Sequence, residues 1–398
     1  MTRMKDSGIE WIGEVPEEWE IVRLKDCLEI NNGKDYKDIE TDETGYPVIG
    51  SGGQFAYARK YLHDGTAILL GRKGTIDKPL YIEGKFWTVD TMFYGVPKSG
   101  IHAKFIYYVA LQIPFGLYST NTALPSMTQT DLQNHHFVMP PLDEQTQIAD
   151  FLDKKVAQLD KVKSLLEEQI KTLEDYRRSL IYETVTKGLD KTVPLKDSGV
   201  DWIGQIPEGW EVKKHKYIMS KTKTLCSHYS GQKILSLTRQ GIISRDIESG
   251  KGKMPASFDG YQFLTRGDLL LCLFDIDVTP RCVGVVESDG LTSPAYSRFK
   301  VSEDSSVYYY YYLFLSMDDD KVLLHLAKNL RNSLTEDDFG DIETIVPSYK
   351  EQVIIANYLN KKTLLIDKLI KLKKEQIENI NKQRQTLIYD YVTGKRRV

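Results

Sequence analysis

The sequence predicts an α+β fold: two globular α/β domains and a pair of long coiled-coil helices, laid out as an internal repeat. Three observations carry this. Leucines recur every seven residues through residues 142–188. A similar stretch returns 207 residues later. A short Trp-rich segment near the N-terminus also recurs, 191 residues on.

Leu152, Leu159, Leu166, Leu173 and Leu180 form the heptad, and Val156 and Ile170 sit four beyond two of them. That spacing keeps one apolar seam along a helix, with Lys, Glu and Gln on the other faces. No Gly or Pro interrupts it before Gly188. About 45 residues at 1.5 Å each make a rod of roughly 65–70 Å. So narrow a seam wants a partner helix; the alternative is one long amphipathic helix lying on a domain. The partner is legible in residues 351–395. Glu144-Gln145 return as Glu351-Gln352, Lys154-Lys155 as Lys361-Lys362, and Leu180-Ile181-Tyr182 as Leu387-Ile388-Tyr389. The heptad set becomes Leu359, Ile366, Lys373, Ile380 and Leu387. Lys373 departs from it, but its long stem can still lie along the seam. Two similar rods in one chain most simply pair with each other.

Residues 6–20, DSGIEWIGEVPEEWE, recur as residues 197–211, DSGVDWIGQIPEGWE, with ten of fifteen positions identical. The two offsets differ, so the middle of the second copy is longer by 16 residues. The chain therefore divides into a first globular domain (1–141), a central helix (142–188), a second globular domain (189–347) and a C-terminal helix (348–398). The frame is kept twice, while the inserts at 21–139 and 212–346 diverge. Divergence is expected if each insert binds something different. Drifted loops on a duplicated structural unit are the alternative. The Trp-rich segment is too short to fold alone, and its tryptophans are expected to pack on a neighbour.

In the first insert, β-type runs at 46–49, 66–70 and 86–89 alternate with Gly-rich turns. GSGGQF at 50–55 and GRKGT at 71–75 let the backbone approach a ligand closely. Neither fits a phosphate-binding loop or a dinucleotide fingerprint, which need strand, motif and helix in order. Residues 104–113 read as a helix, 121–130 as a polar loop and 130–135 as a helical turn. The stretch 57–78 carries +3, although the whole insert balances 12 basic against 12 acidic residues. In the second insert, residues 213–253 hold ten basic residues against Asp246 and Glu248. Residues 318–320 and 336–338 are acidic, so the domain is expected to have an electrostatic direction. Residues 263–274 read as a turn and an apolar strand, and 283–286 as another strand. VYYYYYLFLS at 307–316 aligns with FIYYVALQ at 105–112 and reads as a helix packed by its tyrosines. Stacking of those tyrosines on bases is the alternative.

Composition bounds the function. At 398 residues, with 41% apolar and 27% charged content, the chain can bury two cores of ordinary size. A net charge of −3 excludes a coat of basic surface but allows local basic faces. Cys27, Cys226, Cys272 and Cys282 show no metal-ligand spacing and read as reduced thiols of a cytosolic protein. The N-terminus lacks the apolar run of a signal peptide. No segment reaches the ~18–20 apolar residues of a membrane span. The seven histidines form no metal spacing and no triad. No ATPase, helicase or amino-methyltransferase motif is present. Asp77, Glu83 and Lys85 do match the acidic, acidic-x-basic pattern of Mg-dependent nucleases. A stand-alone nuclease built on them is the competing reading, and a coiled-coil scaffold with no nucleic-acid role is a third.

The repeated DSG-x-x-WIG-x-x-PE-x-WE segment, the P-L-x-EQ-x-x-IA-x-FL-x-KK helix start and the heptad helix together resemble the specificity subunit of type I restriction–modification enzymes. The resemblance covers essentially the whole chain. It implies two target recognition domains, each reading half of a split sequence in double-stranded DNA. It implies that the helices pair antiparallel, relate the domains by a pseudo-twofold and set the spacer between half-sites. Two methyltransferase subunits would dock on the chain and supply S-adenosylmethionine. Restriction subunits would add ATP-driven translocation and Mg-dependent cleavage. The chain itself would be non-catalytic and would hold no cofactor or metal. In the first domain, the DNA-binding residues expected are Lys34, Tyr36, Ser51, Gln54, Arg59, Lys60, Arg72, Lys73, Thr75, Asn121 and Ser126. In the second they are Lys221, Lys223, Ser227, His228, Arg239, Gln240, Arg281, Arg298, Arg331, Asn332 and Ser333.

Overall fold

The computed structural model describes residues 3–42, 44–118, 125–247, 255–279, 281–327 and 332–398. Contacts divide the chain into two units: residues 1–167 with 374–398, and residues 168–373. The division runs through both long helices, Leu142–Lys187 and Tyr349–Val392, so each unit owns a piece of each.

The first unit opens with strands Met4–Asp6 and Glu14–Pro16, paired antiparallel around the Trp11 turn. Strand Glu20–Arg23 then pairs antiparallel with His136–Met139, which clips the two ends of the insert together. Between them lie two sheets. An antiparallel one has the order Leu80–Ile82, Ala67–Gly71, Met92–Pro97, Leu28–Asn32. A mixed one has the order Glu40–Thr41, Gly53–Ala58, Tyr46–Gly50, Lys85–Thr88, His63–Asp64, with its only parallel pair between Lys85–Thr88 and Tyr46–Gly50. Ala67–Gly71 is buried throughout, as its unbroken apolar run requires. Helix Ala103–Ala110 starts at His102, whose ring accepts the Phe105 amide. The core gathers Trp19, Leu24, Ile68, Phe93 and Phe105 against Ile148 and Leu152 of the first long helix and Ile388 and Val392 of the second.

The second unit repeats the frame. Leu195–Asp197 pairs with Gln205–Pro207, and Glu211–Lys214 with Glu343–Val346, both antiparallel. Its largest sheet has the order Met219–Lys221, Ser297–Val301, Leu269–Leu271, Val283–Val285. Two separate ribbons pair Leu235–Thr238 with Gly241–Ser244, and Gln262–Leu264 with Gly290–Thr292. The tyrosine run is the helix Val307–Asp319. Tyr309, Tyr310 and Tyr312 are buried in it, and the Tyr309 hydroxyl donates to the Val185 carbonyl at 2.9 Å. Packing therefore accounts for these three tyrosines.

The long helices pair antiparallel within each unit. In the first unit, Phe151 and Tyr391 rings lie 4.5 Å apart, and Arg384 meets Asp160 at 3.3 Å. In the second, Lys373 donates to Gln169 at 2.5 Å, and Arg177 meets Asp367 at 3.8 Å. Partner numbers fall along one helix as they rise along the other. The two Arg–Asp pairs are the same pair, displaced by the 207-residue repeat. Such exposed bridges contribute at most about 1 kcal/mol, so their value lies in register. Along the first helix Leu152, Val156 and Ile170 are buried, while the other heptad leucines, Leu159, Leu166, Leu173 and Leu180, are half-buried; along the second, Leu359, Ile366 and Ile370 are buried. Among the described residues, no helix is long and apolar enough to cross a membrane.

Candidate nucleic-acid interface

The repeated motifs turn out to be joints. Gln145 is buried and used at both ends of its amide. Its carbonyl oxygen accepts the His102 amide at 2.9 Å, and its NH2 group donates to the Pro140 carbonyl at 2.9 Å. Gln352 does the same in the second unit, with the Ser306 amide at 2.8 Å and the Pro347 carbonyl at 2.9 Å. His102 and Ser306 are the N-caps of the domain helices, so each glutamine bolts the start of a long helix to the start of a domain helix. The neighbouring glutamates hold tryptophans: Trp19 donates to Glu144 at 3.0 Å, and Trp210 to Glu351 at 3.3 Å. At the far helix ends, Tyr389 donates to the Trp11 carbonyl at 2.9 Å, and Tyr182 to the Ile203 carbonyl at 3.1 Å. Gly188 (φ +70°) and Gly394 (φ +72°) end the two helices in the left-handed region that favours glycine. A Cβ on Gly394 would stand about 2.4 Å from Pro16 Cδ. Sequence reasoning saw these residues repeat but did not see what they join.

On this frame the expected DNA-facing residues fall into distinct places. In the first unit, Lys34, Arg72, Lys73 and Ser126 gather around residues 88–92. The Lys34 amide donates to the Thr88 carbonyl, and the Arg72 and Lys73 amides both donate to the Thr91 carbonyl. Lys73 bridges to Ser126. Lys34, Lys73 and Thr75 are exposed; Arg72 is half-buried, with its guanidinium over the Phe93 ring. Gly33 makes the close approach possible, because a Cβ there would lie 2.0 Å from the Val89 carbonyl oxygen. Gln54 is exposed and Ser51 half-buried on the hairpin Tyr46–Gly50 and Gly53–Ala58. Beside Gln54, Phe55 is 55% exposed and meets the Tyr36 ring edge-on at 5.4 Å. Arg59 and Lys60 follow that hairpin, also exposed. Asn121 lies outside the described residues.

In the second unit, Arg239 and Gln240 form the two-residue tip of the hairpin Leu235–Thr238 and Gly241–Ser244. Both are exposed, and Gly241 at φ +103° closes the turn. Ser227 and His228 are exposed on the preceding loop, with the His228 ring 4.0 Å from Asp259. Lys223 reaches the Pro294 carbonyl at 3.4 Å, and Arg281 donates to the Tyr311 hydroxyl at 3.2 Å. Asn332, at φ 48°, accepts the Ile276 amide at 3.1 Å, and Ser333 beside it is half-buried. Arg331 lies outside the described residues. Arg298 is held inside the fold: its side chain is 11% exposed, paired with Asp268 at 2.7 Å and with Thr265 at 3.2 Å. An arginine so committed has little left for a base edge.

The expected electrostatic direction of the second insert is corrected. The acidic helix Glu336–Asp341 folds back onto the lysines of the basic stretch. Lys214 and Lys216 both meet Asp341, at 3.1 and 2.8 Å, and Lys221 meets Glu336 at 2.8 Å. Opposite charges far apart in sequence neutralise each other in space, and the exposed basic character shifts to Lys223, Lys233 and Arg239.

Two members of the nuclease triple are engaged otherwise, and the third, Asp77, is exposed. Lys85 stands 3.9 Å from Asp64 and 4.9 Å above the Tyr61 ring, while Glu83 accepts the Tyr81 hydroxyl. Fold and surface thus define a duplicated frame that carries two unlike polar and aromatic surfaces.

Comparison with known proteins shows what this class resembles. The family model described as the type I restriction modification DNA specificity domain matches residues 16–174. The putative type I restriction enzyme MjaX specificity subunit of Methanocaldococcus jannaschii is 25% identical, over 97% of this chain and 96% of that one. The MjaVIII specificity subunit of the same organism is also 25% identical, over 96% and 94%. The fold is shared with a chain solved in work on complex assembly and conformational transition of the type I R-M system: TM-score 0.70, 14% identity, 95% of this chain and 98% of that one. Over nearly its whole length the chain is thus similar to specificity subunits of the type I restriction–modification kind, and its residues 16–174 match the DNA specificity domain of that family.

Proposed function

We propose that each unit reads one half of a split sequence in double-stranded DNA, and that the paired helices set the spacer. One observation carries this reading. The frame is reproduced contact for contact, through Gln145 and Gln352, Trp19 and Trp210, Tyr389 and Tyr182, while Arg72-Lys73 follow a buried strand and bridge to Ser126 and Arg239-Gln240 form a hairpin tip. A major groove admits a two-stranded ribbon, and Arg and Gln are the side chains that make bidentate contacts to guanine and adenine. Lys34, Lys73 and Lys223 suit the phosphate contacts that position without specifying. Two methyltransferase subunits would dock on the chain in the cytoplasm and bring S-adenosylmethionine; ATP and Mg would belong to restriction subunits.

Arg239→Ala is the test. In the complex with its modification subunits, methylation-sensitive sequencing should show relaxed recognition in one half-site only. The loss should be about 1–3 kcal/mol of discrimination, or roughly 5- to 150-fold. Equal loss on both halves would refute a divided reading. The chain alone should bind duplex DNA at low salt and release it as salt rises. It should leave a plasmid uncut in Mg²⁺.

A further inference from the structure

We propose that the two long helices present unequal docking faces, so that the two modification subunits bind in two steps of different affinity, the tighter on the second helix. The inference rests on the functional reading above and adds an order of assembly to it.

Ile354, Leu365, Leu369 and Leu372 are 49%, 53%, 39% and 47% exposed, and Tyr358 between them is half-buried. Their spacing of four, seven, four and three keeps all five on one side of the helix. That side is distinct from the buried seam of Leu359, Ile366 and Ile370. Single exposed leucines need no explanation, but a continuous stripe does. At its head lies a cleft of about 190 Å³ lined by Leu189, Val193, Pro207, Trp210 and Ile354. A cleft of this kind suits one large apolar anchor, the feature that dominates binding energy at interfaces. The flanks are basic: residues 361–374 hold six lysines against Asp367, and Asp367 faces Arg177.

Apolar stripe and basic flanks together select an occupant. It is an amphipathic helix with acidic edges, laid along the stripe as a further coiled-coil strand. On the first helix the counterpart positions are Gln147, Phe151, Gln158, Val162 and Leu165. Two are polar, and Phe151 already packs on Tyr391. Val162 and Leu165 remain, 47% and 42% exposed. The counterpart flank, residues 154–167, holds four lysines against Asp160 and Glu167. The second helix therefore offers about twice the exposed apolar side chains and a stronger field for an acidic edge.

The full chain titrated with the modification subunit of its own system, followed by mass photometry, tests this. Expected is a populated 1:1 complex before the 1:2 complex, with dissociation constants at least about tenfold apart. Leu369→Glu should abolish the tighter step and leave the weaker one. Val162→Glu should abolish the weaker step and leave the tighter one. Both positions are exposed, and unchanged melting would show each variant folded. Higher salt should weaken the tighter step more. Two indistinguishable steps, or equal effects of the two variants, would overturn the inference and leave the functional reading standing. A wild-type chain that takes up no modification subunit at all would sink both.

Discussion

A chain ending at residue 384 is expected to lose its first unit and keep its second. Nothing in the first 167 residues would be altered, yet their core would be opened. Ile388, Tyr391 and Val392 are 0%, 9% and 3% exposed, and they pack in the cluster that contains Trp19, Leu24, Ile148 and Leu152. Burial of three such side chains contributes about 5–8 kcal/mol. The truncation also removes the Tyr389 hydroxyl from the Trp11 carbonyl and Arg397 from Glu144, 3.2 Å away. A domain is stable by only about 5–15 kcal/mol, so the loss is comparable with the whole. The second unit draws its equivalent side chains, Ile181 and Val185, from the middle of the chain and keeps them. Hydrogen exchange read peptide by peptide separates the two units. Peptides from Ala67–Gly71 and Met92–Pro97 should lose protection, and those from Leu269–Leu271 should not. Wild-type protection in both would show that the first unit closes its core without the C-terminal helix.

How much of this was legible beforehand depends on how far each interaction reaches along the chain. The long helices were legible because a seven-residue period is a local signal; Leu152 is buried and the heptad leucines after it are half-buried, with Val156 and Ile170 buried beside them. The tyrosine helix was legible by alignment with the first copy. The glutamine joints were not. Gln145 repeats as Gln352, but its partner His102 lies 43 residues away, and only the folded chain brings the two together. The acidic helix misled for the same reason: Lys214 and Asp341 are 127 residues apart in sequence and 3.1 Å apart in space. Arg298 shows the limit for individual sites. Nothing local distinguishes an arginine that holds a turn through Asp268 from one that faces solvent, as Arg239 does at its hairpin tip.

Acid should unfold this protein earlier than its carboxylates alone would require, and two histidines are the reason. They occupy one corner of the repeated frame from opposite strands. In the first unit, the Leu24 amide donates to the His135 carbonyl; in the second, the His215 amide donates to the Ile342 carbonyl. His135 stacks on Trp11 and shares a 2.8 Å hydrogen bond with the Tyr118 hydroxyl. His215 sits between Phe314 and Phe339, its Nδ1 against the Phe339 carbonyl at 2.9 Å. In both rings Nε2 is buried with no partner among the described residues. Burial disfavours the imidazolium and lowers each ring from the ordinary 6.5 to about 4. Between those values the unfolded chain binds protons that the folded one refuses. The stability from neutral burial is therefore complete above about pH 6.5 and drains away as pH falls towards about 4. At about 1.4 kcal/mol per unit, each histidine accounts for roughly 3 kcal/mol across that window. His215→Phe keeps a ring in the apolar slot and removes the titration. Its second-unit peptides should hold their exchange protection at pH 4.5 better, relative to pH 7.5, than those of the wild-type chain. First-unit peptides should respond as before. If wild type and variant lost stability in parallel between pH 7.5 and 4.5, the buried ring would be excluded as the source of the acid sensitivity.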